Sequence, residues 1–426
     1  MTTIPRREFL AGATVALFAA DASARALRAG EVAGGRDADD LAGAEDYWAE
    51  VRRAFDADRT LINLNHGGVA PSPAAVLESM IRDLRFANLA PSHHMWDLLE
   101  PRVESVRREL AREFGCEPAE MAVTRNASEA MQTLIAGVDL RPGDEVVVSD
   151  QNYGRMLNAW DQRARRDGVV VKRISLGGPA PTPEEVLARY RDALTPRTRL
   201  IEVTHVVNLT GNILPVRDLV AMARGRGVET FVDGAHAFAQ LPFRRDDLDC
   251  DYYATSLHKW LLAPIGTGFL YVRKASIPRI WPLMAAPASM SADVRKFEEI
   301  GTHPAANHNA IAAALAFHRA IGVDRKIARL RFLRDRWATR LADACPRAKL
   351  LSPAETGRST GIGLLHVEGI DPVALRDRIW ASDRIIAVAI KHAEFGGLRV
   401  TPNVDTAVQE IDVFVDAVLK AVKTIG

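Results

Sequence analysis

The sequence predicts an α/β protein whose mostly parallel sheet is covered by helices on both faces. Short apolar, β-branched segments without polar alternation recur along the chain, as expected of strands that are buried on both faces. Helical segments separate these strands, as the crossover connections of a parallel sheet require. The predicted strands include residues 145–149, 169–171, 200–203 and 230–233, and the helices between them include residues 182–193 and 216–226.

The C-terminal part of the chain has a different texture. Residues 310–340 form a strongly helical region that is interrupted at 322–324. Two short strands, at 361–367 and 385–389, then precede a last helix at 408–422. This order of elements predicts a smaller α+β domain after the parallel sheet. A chain of 426 residues is long enough for two or three packed units.

Composition and charge exclude several classes of function. The formal net charge is +1, so the chain has no basic field for nucleic acid or an anionic membrane, and a small molecule is the expected partner. The three cysteines, Cys116, Cys250 and Cys345, form no C-x-x-C pair and lack the spacing of metal ligands, which argues against a metal site.

The N-terminus has the three regions of an export signal. Arg6 and Arg7 stand before a short apolar run at 11–20, and small residues with A-x-A spacing follow at 22–26. The apolar run is too short for a stable membrane anchor. The arginine pair resembles a twin-arginine signal, a route that carries folded proteins, so we expect an exported, periplasmic protein. The alternative is a buried N-terminal helix with a chance arginine pair.

Two residues near strand ends, Asp233 and Lys259, carry the functional prediction. Asp233 ends an apolar strand, where a buried carboxylate needs a cationic partner. Lys259 ends the segment Ser-Leu-His-Lys at 256–259, ahead of a Gly-rich turn. Pyridoxal phosphate matches both residues, because its protonated ring nitrogen pairs with a carboxylate and its aldehyde forms a Schiff base with a desolvated lysine. Taken alone, Lys259 would be interpreted as a surface lysine.

The combination of a strand-end aspartate, Ser-x-His-Lys and the turn Gly266-x-Gly268 resembles the aminotransferase class V family of fold-type-I pyridoxal-phosphate enzymes. The resemblance extends from about Asn63 to the C-terminus and is most specific around Lys259. It implies a large domain with a mostly parallel, seven-stranded sheet and a smaller α+β C-terminal domain. The predicted division is a twin-arginine signal peptide at 1–26, an N-terminal arm and small-domain segment at 27–80, the large cofactor-binding domain at 81–315 and the small domain at 316–426.

The resemblance implies a phosphate-binding role for residues at a helix start and before the lysine. Asn126, Ala127 and Ser128 open a helix, whose free backbone N–H groups suit a phosphate. Ser256 and His258 match family positions that bind phosphate and brace the lysine. A plain N-cap is the alternative for the helix start, because Asn and Ser are good caps.

Other matched residues are expected around the cofactor ring. By resemblance, Tyr153 stacks on the pyridine, Asn208 donates to its phenolic oxygen, and His236 lies beside that oxygen or the ring. Thr302, in a segment like E-x-G-T, reaches the phosphate of a neighbouring subunit and so implies a homodimer with shared active sites. A half-buried loop Tyr, a turn Asn and a core His remain the structural alternatives.

The residues expected to bind the substrate lie near both ends of the chain. Arg399 matches the family arginine that grips an α-carboxylate, which a guanidinium holds with two parallel hydrogen bonds. Asn65 and Gly67 lie in the matching N-terminal segment, where glycine lets the backbone approach the substrate. For Arg399 a surface arginine on a strand is the alternative.

The expected chemistry begins at an amine-bearing carbon. The predicted catalytic residues are Lys259 as general base, Asp233 as the partner of the ring nitrogen, and His236. The segments around Asn126 and Asn65 resemble the isopenicillin N epimerase-like branch, which implies an amino-acid or peptide-like substrate. No cysteine follows Cys345, which argues against desulfuration by a loop cysteine.

Other functions stay open at this stage. A C–S or C–C lyase on the same cofactor and a non-catalytic binding protein on the same fold are the alternatives. A nucleotide-binding enzyme is disfavoured, since no full G-x-G-x-x-G or P-loop occurs.

Overall fold

The computed structural model describes residues 35–425 of the chain. The predicted export signal at 1–26 lies outside the described residues. Within them, the strands are β1 (Ile62–Asn63), β2 (Met121–Thr124), β3 (Glu145–Ser149), β4 (Val170–Ile174), β5 (Thr198–Thr204), β6 (Glu229–Asp233), β7 (Tyr252–Ser256), β8 (Gly268–Val272), β9 (Ala348–Leu350), β10 (Gly363–Val367), β11 (Ile385–Ile386), β12 (Val388–Lys391) and β13 (Gly396–Val400).

Helices connect and cover these strands. The α-helices of the described residues are Ala38–Ala42, Glu45–Arg52, Ala74–Leu89, Val103–Phe114, Ala127–Gly137, Gly154–Asp167, Pro183–Ala193, Val216–Arg224, Arg245–Leu248, Ala306–Asn309, Ile311–Ile321, Val323–Ala344, Pro372–Asp383 and Val408–Ile425, and a π-helix spans Ser92–Leu99. Between residues 35 and 425, no helix combines the length and apolarity that a bilayer crossing needs.

The central sheet has seven strands in the order β2-β8-β7-β6-β5-β3-β4. The strands from β7 to β4 pair in parallel, whereas β8 runs antiparallel to β7 and β2. Successive residues of one strand enter opposite cores: Val147 packs in one cluster, and its neighbours Val146 and Val148 pack in the other. Both faces are therefore buried, and the predicted, mostly parallel α/β sheet is confirmed.

Local sequence explains where several helices begin and end. Thr182 caps the helix Pro183–Ala193 and forms a reciprocal capping box with Glu185. At Gly168 the chain turns left-handed, with a φ of 70°, and ends the helix Gly154–Asp167. Side-chain caps and glycines of this kind fix the lengths of the connections and hence the positions of the strands.

A second, four-stranded antiparallel sheet has the order β12-β13-β10-β9. β1 pairs in parallel with β11, so the N-terminal segment joins the C-terminal part of the chain. The strand predicted at 385–389 is in fact two strands, because the chain changes partner from β1 to β13 at Ala387. The domain boundaries at 80 and 315 stay predictions.

Candidate active site

Most of the predicted site residues gather at one edge of the central sheet. β6 ends at Asp233, β7 leads to Lys259, β5 leads to Asn208 and β3 leads to Tyr153. Because these strands are parallel, their carboxyl ends meet at the same edge, where α/β proteins bind ligands. A cavity of about 260 Å³ lies there, and its lining consists of Gly67, Gly68, Asn126, Ala127, Ser128, Met131, Tyr153, Thr204, Asn208, Asp233, Ala235, His236, Ser256, His258, Lys259 and Arg399.

Lys259 is a half-buried amine in this cavity. Its Nζ lies 3.1 Å from Nε2 of His236. Burial lowers the pKa of Lys259 to about 8, while the charge of Asp233 raises that pKa and the charge of Arg399 lowers it. An amine with a pKa near 8 has a substantial neutral fraction close to neutral pH, as a nucleophile or general base requires.

Asp233 is a buried carboxylate, with 6% of its surface exposed. Its Oδ1 accepts a hydrogen bond of 2.9 Å from the backbone N–H of Ala235. Burial raises the pKa of Asp233, and this hydrogen bond and the charge of Lys259 oppose the rise. A carboxylate in such surroundings is stabilised by a cationic partner in the same cavity.

His236 is buried between the lysine and an aromatic wall. Its ring lies 6.1 Å from that of Trp260 in an edge-on arrangement. Burial lowers the pKa of His236 well below its ordinary value, and the nearby cations Lys259 and Arg399 lower it further. The imidazole is therefore neutral at physiological pH, with one nitrogen facing the Lys259 amine.

The helix Ala127–Gly137 points its N-terminus into the cavity. Asn126 caps this helix by accepting a 2.8 Å hydrogen bond from the N–H of Glu129. The N–H of Ala127 donates to Ser256 Oγ at 2.9 Å, which ties the helix start to the end of β7. At Gly268 a Cβ would lie 2.7 Å from Cα of Asn126, so this close approach needs glycine. Helix starts in general favour an anionic group, and this one borders the cavity at Asn126, Ala127 and Ser128.

Arg399 reaches the cavity from β13. Its guanidinium donates to Oδ1 of Asn65 at 2.8 Å and to the carbonyl of Asn208 at 3.1 Å. Burial lowers the pKa of Arg399 to about 10, and Tyr153 opposes this shift. Because its two hydrogen bonds go to amide oxygens and not to carboxylates, the buried positive charge is available to an acidic ligand.

Several buried polar atoms at this edge have no hydrogen-bond partner among residues 35–425. They are Oγ1 of Thr204, Oδ1 of Asn208, Nδ1 of His236, Nδ1 of His258 and Nε of Arg399. Buried polar atoms in native proteins are normally satisfied. A ligand with the shape and charge of pyridoxal phosphate would offer partners to these polar atoms. Its anionic group would lie at the helix start, and its cationic ring nitrogen would lie near Asp233.

The structure brings most of the site residues predicted from the sequence together in this cavity, with two exceptions. Asn65 contacts Arg399 but does not line the cavity, and Thr302 is exposed and lies outside the lining. The partner-subunit role of Thr302 stays a prediction. Sequence reasoning missed the lining residues Thr204 and Met131, although one ends β5 and the other follows Ser128 by one helical turn.

Among residues 35–425, no three His, Cys, Asp or Glu side chains cluster as a metal site would require.

Comparison with known proteins identifies the family to which the chain is similar. The family model for aminotransferase class V matches residues 62–389. Isopenicillin N epimerase of Streptomyces clavuligerus is 31% identical over 387 residues, covering 87% of this chain and 97% of that protein. Its counterpart in Amycolatopsis lactamdurans is also 31% identical, covering 85% and 96%.

Solved structures show the same architecture. A cysteine desulfurase from Escherichia coli superposes with a TM-score of 0.78 at 22% identity, covering 89% of this chain and 99% of that one. At this identity the likeness establishes the fold, which is fold type I with its additional small antiparallel sheet. The chain therefore belongs to the aminotransferase class V family of fold-type-I enzymes, whose coenzyme is pyridoxal 5'-phosphate.

Proposed function

We propose that this protein acts at the amine-bearing carbon of an amino-acid or peptide-like substrate and that Lys259 is the residue that attaches the coenzyme. One observation carries the proposal: Asp233 and Lys259 line the same cavity and interact electrostatically. The carboxylate of Asp233 suits the protonated ring nitrogen of pyridoxal phosphate, and the amine of Lys259, with its lowered pKa, suits the aldehyde.

Different residues of the cavity would bind different groups of the coenzyme. Asp233 would hold the protonated ring nitrogen, and Asn208 and His236 would lie on the side of the phenolic oxygen. Ser128 and Ser256, with the helix start at Ala127, would hold the phosphate. When bound, the coenzyme supplies an electron sink for the charge that develops at the substrate carbon.

Proton transfer falls to Lys259 and its neighbour. With a pKa near 8, the free amine of Lys259 accepts a proton from the substrate carbon and returns it within one site. The neutral ring of His236, 3.1 Å away, orients the amine by hydrogen bonding. Arg399 would bind the substrate carboxylate through its guanidinium and so fix which carbon faces Lys259.

The epimerase relatives favour proton chemistry at the α-carbon over sulfur transfer. In the part of the chain that the structure describes, the cavity lining contains no cysteine. Such chemistry gives exchange of the α-hydrogen with solvent, whether its final outcome is epimerisation or transamination. The full-length isopenicillin N epimerases that the chain resembles make peptide-like amines the first substrates to test.

A spectral and isotopic experiment tests the proposal. The purified protein is expected to be yellow, with a visible absorption band that borohydride abolishes, and Lys259→Ala is expected to prevent this covalent fixation. Incubation with amino acids and peptide amines in deuterated water should then place deuterium at the α-carbon. Inverted substrate indicates epimerisation, the pyridoxamine form indicates transamination, and release of a fragment indicates a lyase. A colourless protein that binds no coenzyme would refute the proposal.

We also propose that the protein is exported by the twin-arginine route. The proposal depends on Arg6 and Arg7 and on the apolar and small-residue regions that follow them. Replacing both arginines by lysine should retain the protein in the cytoplasm. Unchanged export of that variant, measured by cell fractionation, would contradict the twin-arginine assignment.

A homodimer with shared active sites is the proposed assembly. Thr302 is exposed and outside the cavity of its own chain, as a residue that acts on a second subunit must be. Sedimentation should give a dimer, and Thr302→Ala should weaken coenzyme binding without changing that mass.

A further inference from the structure

Glu202 is a fully buried carboxylate that the proposed chemistry does not use. It lies on β5 with no exposed surface, two residues before Thr204, which lines the cavity. Side chains two apart on a strand point to the same face. Glu202 is therefore beneath the cavity, on the face of the sheet covered by the helix Gly154–Asp167.

Both carboxylate oxygens of Glu202 face groups that can only donate. Asn152 Nδ2 donates to Oε1 at 2.7 Å, and the indole N–H of Trp160 donates to Oε2 at 2.5 Å. The Asn152 amide cannot turn over, because its Oδ1 accepts from the backbone N–H of Ser149 at 3.1 Å. An indole nitrogen never accepts. The ionised carboxylate is thus the form of Glu202 that matches its surroundings.

Keeping this anion is costly. Burial raises the pKa of Glu202 to about 7, the hydrogen bonds from Trp160 and Asn152 oppose the rise, and the charge of Asp233 adds to it. A buried charge of this kind rarely adds stability compared with an apolar residue of similar volume. Its presence here therefore calls for a role in fixing a particular conformation.

The groups that Glu202 holds belong to the segment that carries Tyr153. Asn152 directly precedes Tyr153, which lines the cavity and is followed by the helix Gly154–Asp167. Trp160 lies in the same helix, two turns further on. One carboxylate thus binds both the residue before Tyr153 and the helix after it, while the Tyr190 hydroxyl secures the Glu202 carbonyl at 2.9 Å.

We propose that Glu202 is a positioning residue that, through Asn152 and Trp160, holds the Tyr153 ring in place against the coenzyme. The stacking role of Tyr153 rests on the proposed function, but the hydrogen bonds that join Glu202 to the segment do not. Glutamine at position 202 keeps the shape and presents an N–H₂ group to one of the two donors. The segment would then lose one of its two hydrogen bonds to Glu202.

Glu145 provides a matched control. It is a buried glutamate of the same sheet, 1% exposed, at the opposite end of β3 from the Asn152 segment. Its partners are Thr195, Lys172 and Arg197, which lie outside the cavity lining. Glu145→Gln therefore removes a buried charge without touching the Tyr153 segment.

The test compares Glu202→Gln, Asn152→Ala and Glu145→Gln with the wild-type protein. Hydrogen exchange of the coenzyme-free proteins should become about tenfold faster at residues 152–157 in the first two variants, because a segment with fewer attachments opens more often. With pyridoxal phosphate as the probe, the same two variants should bind about five- to tenfold more weakly, as expected for a lost aromatic contact. Their coenzyme should also show a smaller visible circular-dichroism band.

The outcomes separate the two proposals. Glu145→Gln should match the wild type in the exchange of residues 152–157, in coenzyme affinity and in the dichroic band. Unchanged exchange in Glu202→Gln, or equal effects in Glu202→Gln and Glu145→Gln, would overturn the positioning role. If the wild-type protein binds no pyridoxal phosphate, the proposed function fails, and exchange at 152–157 still decides whether Glu202 holds the segment.

Discussion

The buried carboxylates Glu145 and Asp233, at opposite ends of the central sheet, have different hydrogen-bond partners and opposite pKa shifts. At the amino end, Glu145 accepts hydrogen bonds from the Thr195 hydroxyl at 2.6 Å, Lys172 at 3.1 Å and Arg197 at 2.8 Å. The Thr195 hydroxyl makes the largest contribution in lowering the pKa of Glu145 to about 2, and both cations assist it. At the carboxyl end, Asp233 accepts a backbone N–H and has a raised pKa.

This difference distinguishes a structural carboxylate from one that awaits a ligand. Glu145 is satisfied by its own chain, so its charge helps hold β3, β4 and β5 together. Asp233 lies among buried atoms without partners in the described residues, such as Thr204 Oγ1 and Asn208 Oδ1. The satisfied end of the sheet stabilises the fold, and the unsatisfied end is where we propose that the coenzyme binds.

The largest expected effect comes from removing Lys259 at the carboxyl end of the sheet. Removal of Lys172 at the amino end is the matched control. Lys259→Ala should lower turnover by about 10³-fold, because it removes the general base, and it should abolish fixation of the coenzyme by borohydride. Lys172→Ala, which takes one partner from Glu145, should leave turnover within about twofold of wild type. Steady-state kinetics and absorption spectra measure both. Comparable loss of turnover in the two variants would erase the contrast between the ends.

Replacing each carboxylate by its amide should separate function from stability. Asp233→Asn should reduce turnover by about 10²-fold, since the ring nitrogen loses its anionic partner, while the free energy of unfolding of the coenzyme-free protein stays level or rises. Glu145→Gln should keep turnover and lose about 2 kcal/mol of unfolding free energy, because its donors lose a charged acceptor.

Urea denaturation at pH 8 and initial rates give the two readouts. The contrast is wrong if Asp233→Asn destabilises the coenzyme-free protein as much as Glu145→Gln does.

A smaller effect is expected at the substrate side of the unsatisfied end. Arg399→Leu should raise KM about 10- to 100-fold for substrates with an α-carboxylate, as expected for charge-assisted hydrogen bonds of about 1.5–3 kcal/mol. Amines that lack a carboxylate should show nearly unchanged KM, and this comparison is the control. An equal rise for both substrate types would assign Arg399 to holding Asn65 and not to binding substrate.

The sequence predicts only part of the unsatisfied end. Asp233, Lys259 and Asn208 stand at or just after the ends of apolar strands, and parallel topology brings strand ends together, so local patterns indicate that they lie at one edge. The contact of Arg399 with Asn65 depends on pairing between distant segments that no local pattern specifies.

Glu202 illustrates the limit more sharply. In the sequence it is one polar residue within an apolar strand, and its partners Asn152 and Trp160 are 50 and 42 positions away. Only the parallel pairing of β3 with β5 and the packing of the helix Gly154–Asp167 bring them together. A buried network of this kind depends on tertiary packing, so it could not be predicted from periodicity or motif.

The smallest effect concerns the pH at which Lys259 becomes reactive. An ordinary exposed lysine has a pKa of about 10.4, whereas burial lowers that of Lys259 to about 8. Because only the neutral amine reacts, acetylation of Lys259 in the coenzyme-free protein should rise with pH and level off above about 8, as peptide mass spectrometry would show.

The charge of Asp233 raises the pKa of Lys259, and the charge of Arg399 lowers it. Asp233→Asn should therefore move the midpoint to lower pH, and Arg399→Leu should move it to higher pH. A midpoint near 10 in the wild-type protein would mean that the carboxyl end of the sheet is as well solvated as an ordinary surface, and the contrast with Glu145 would no longer point to a ligand.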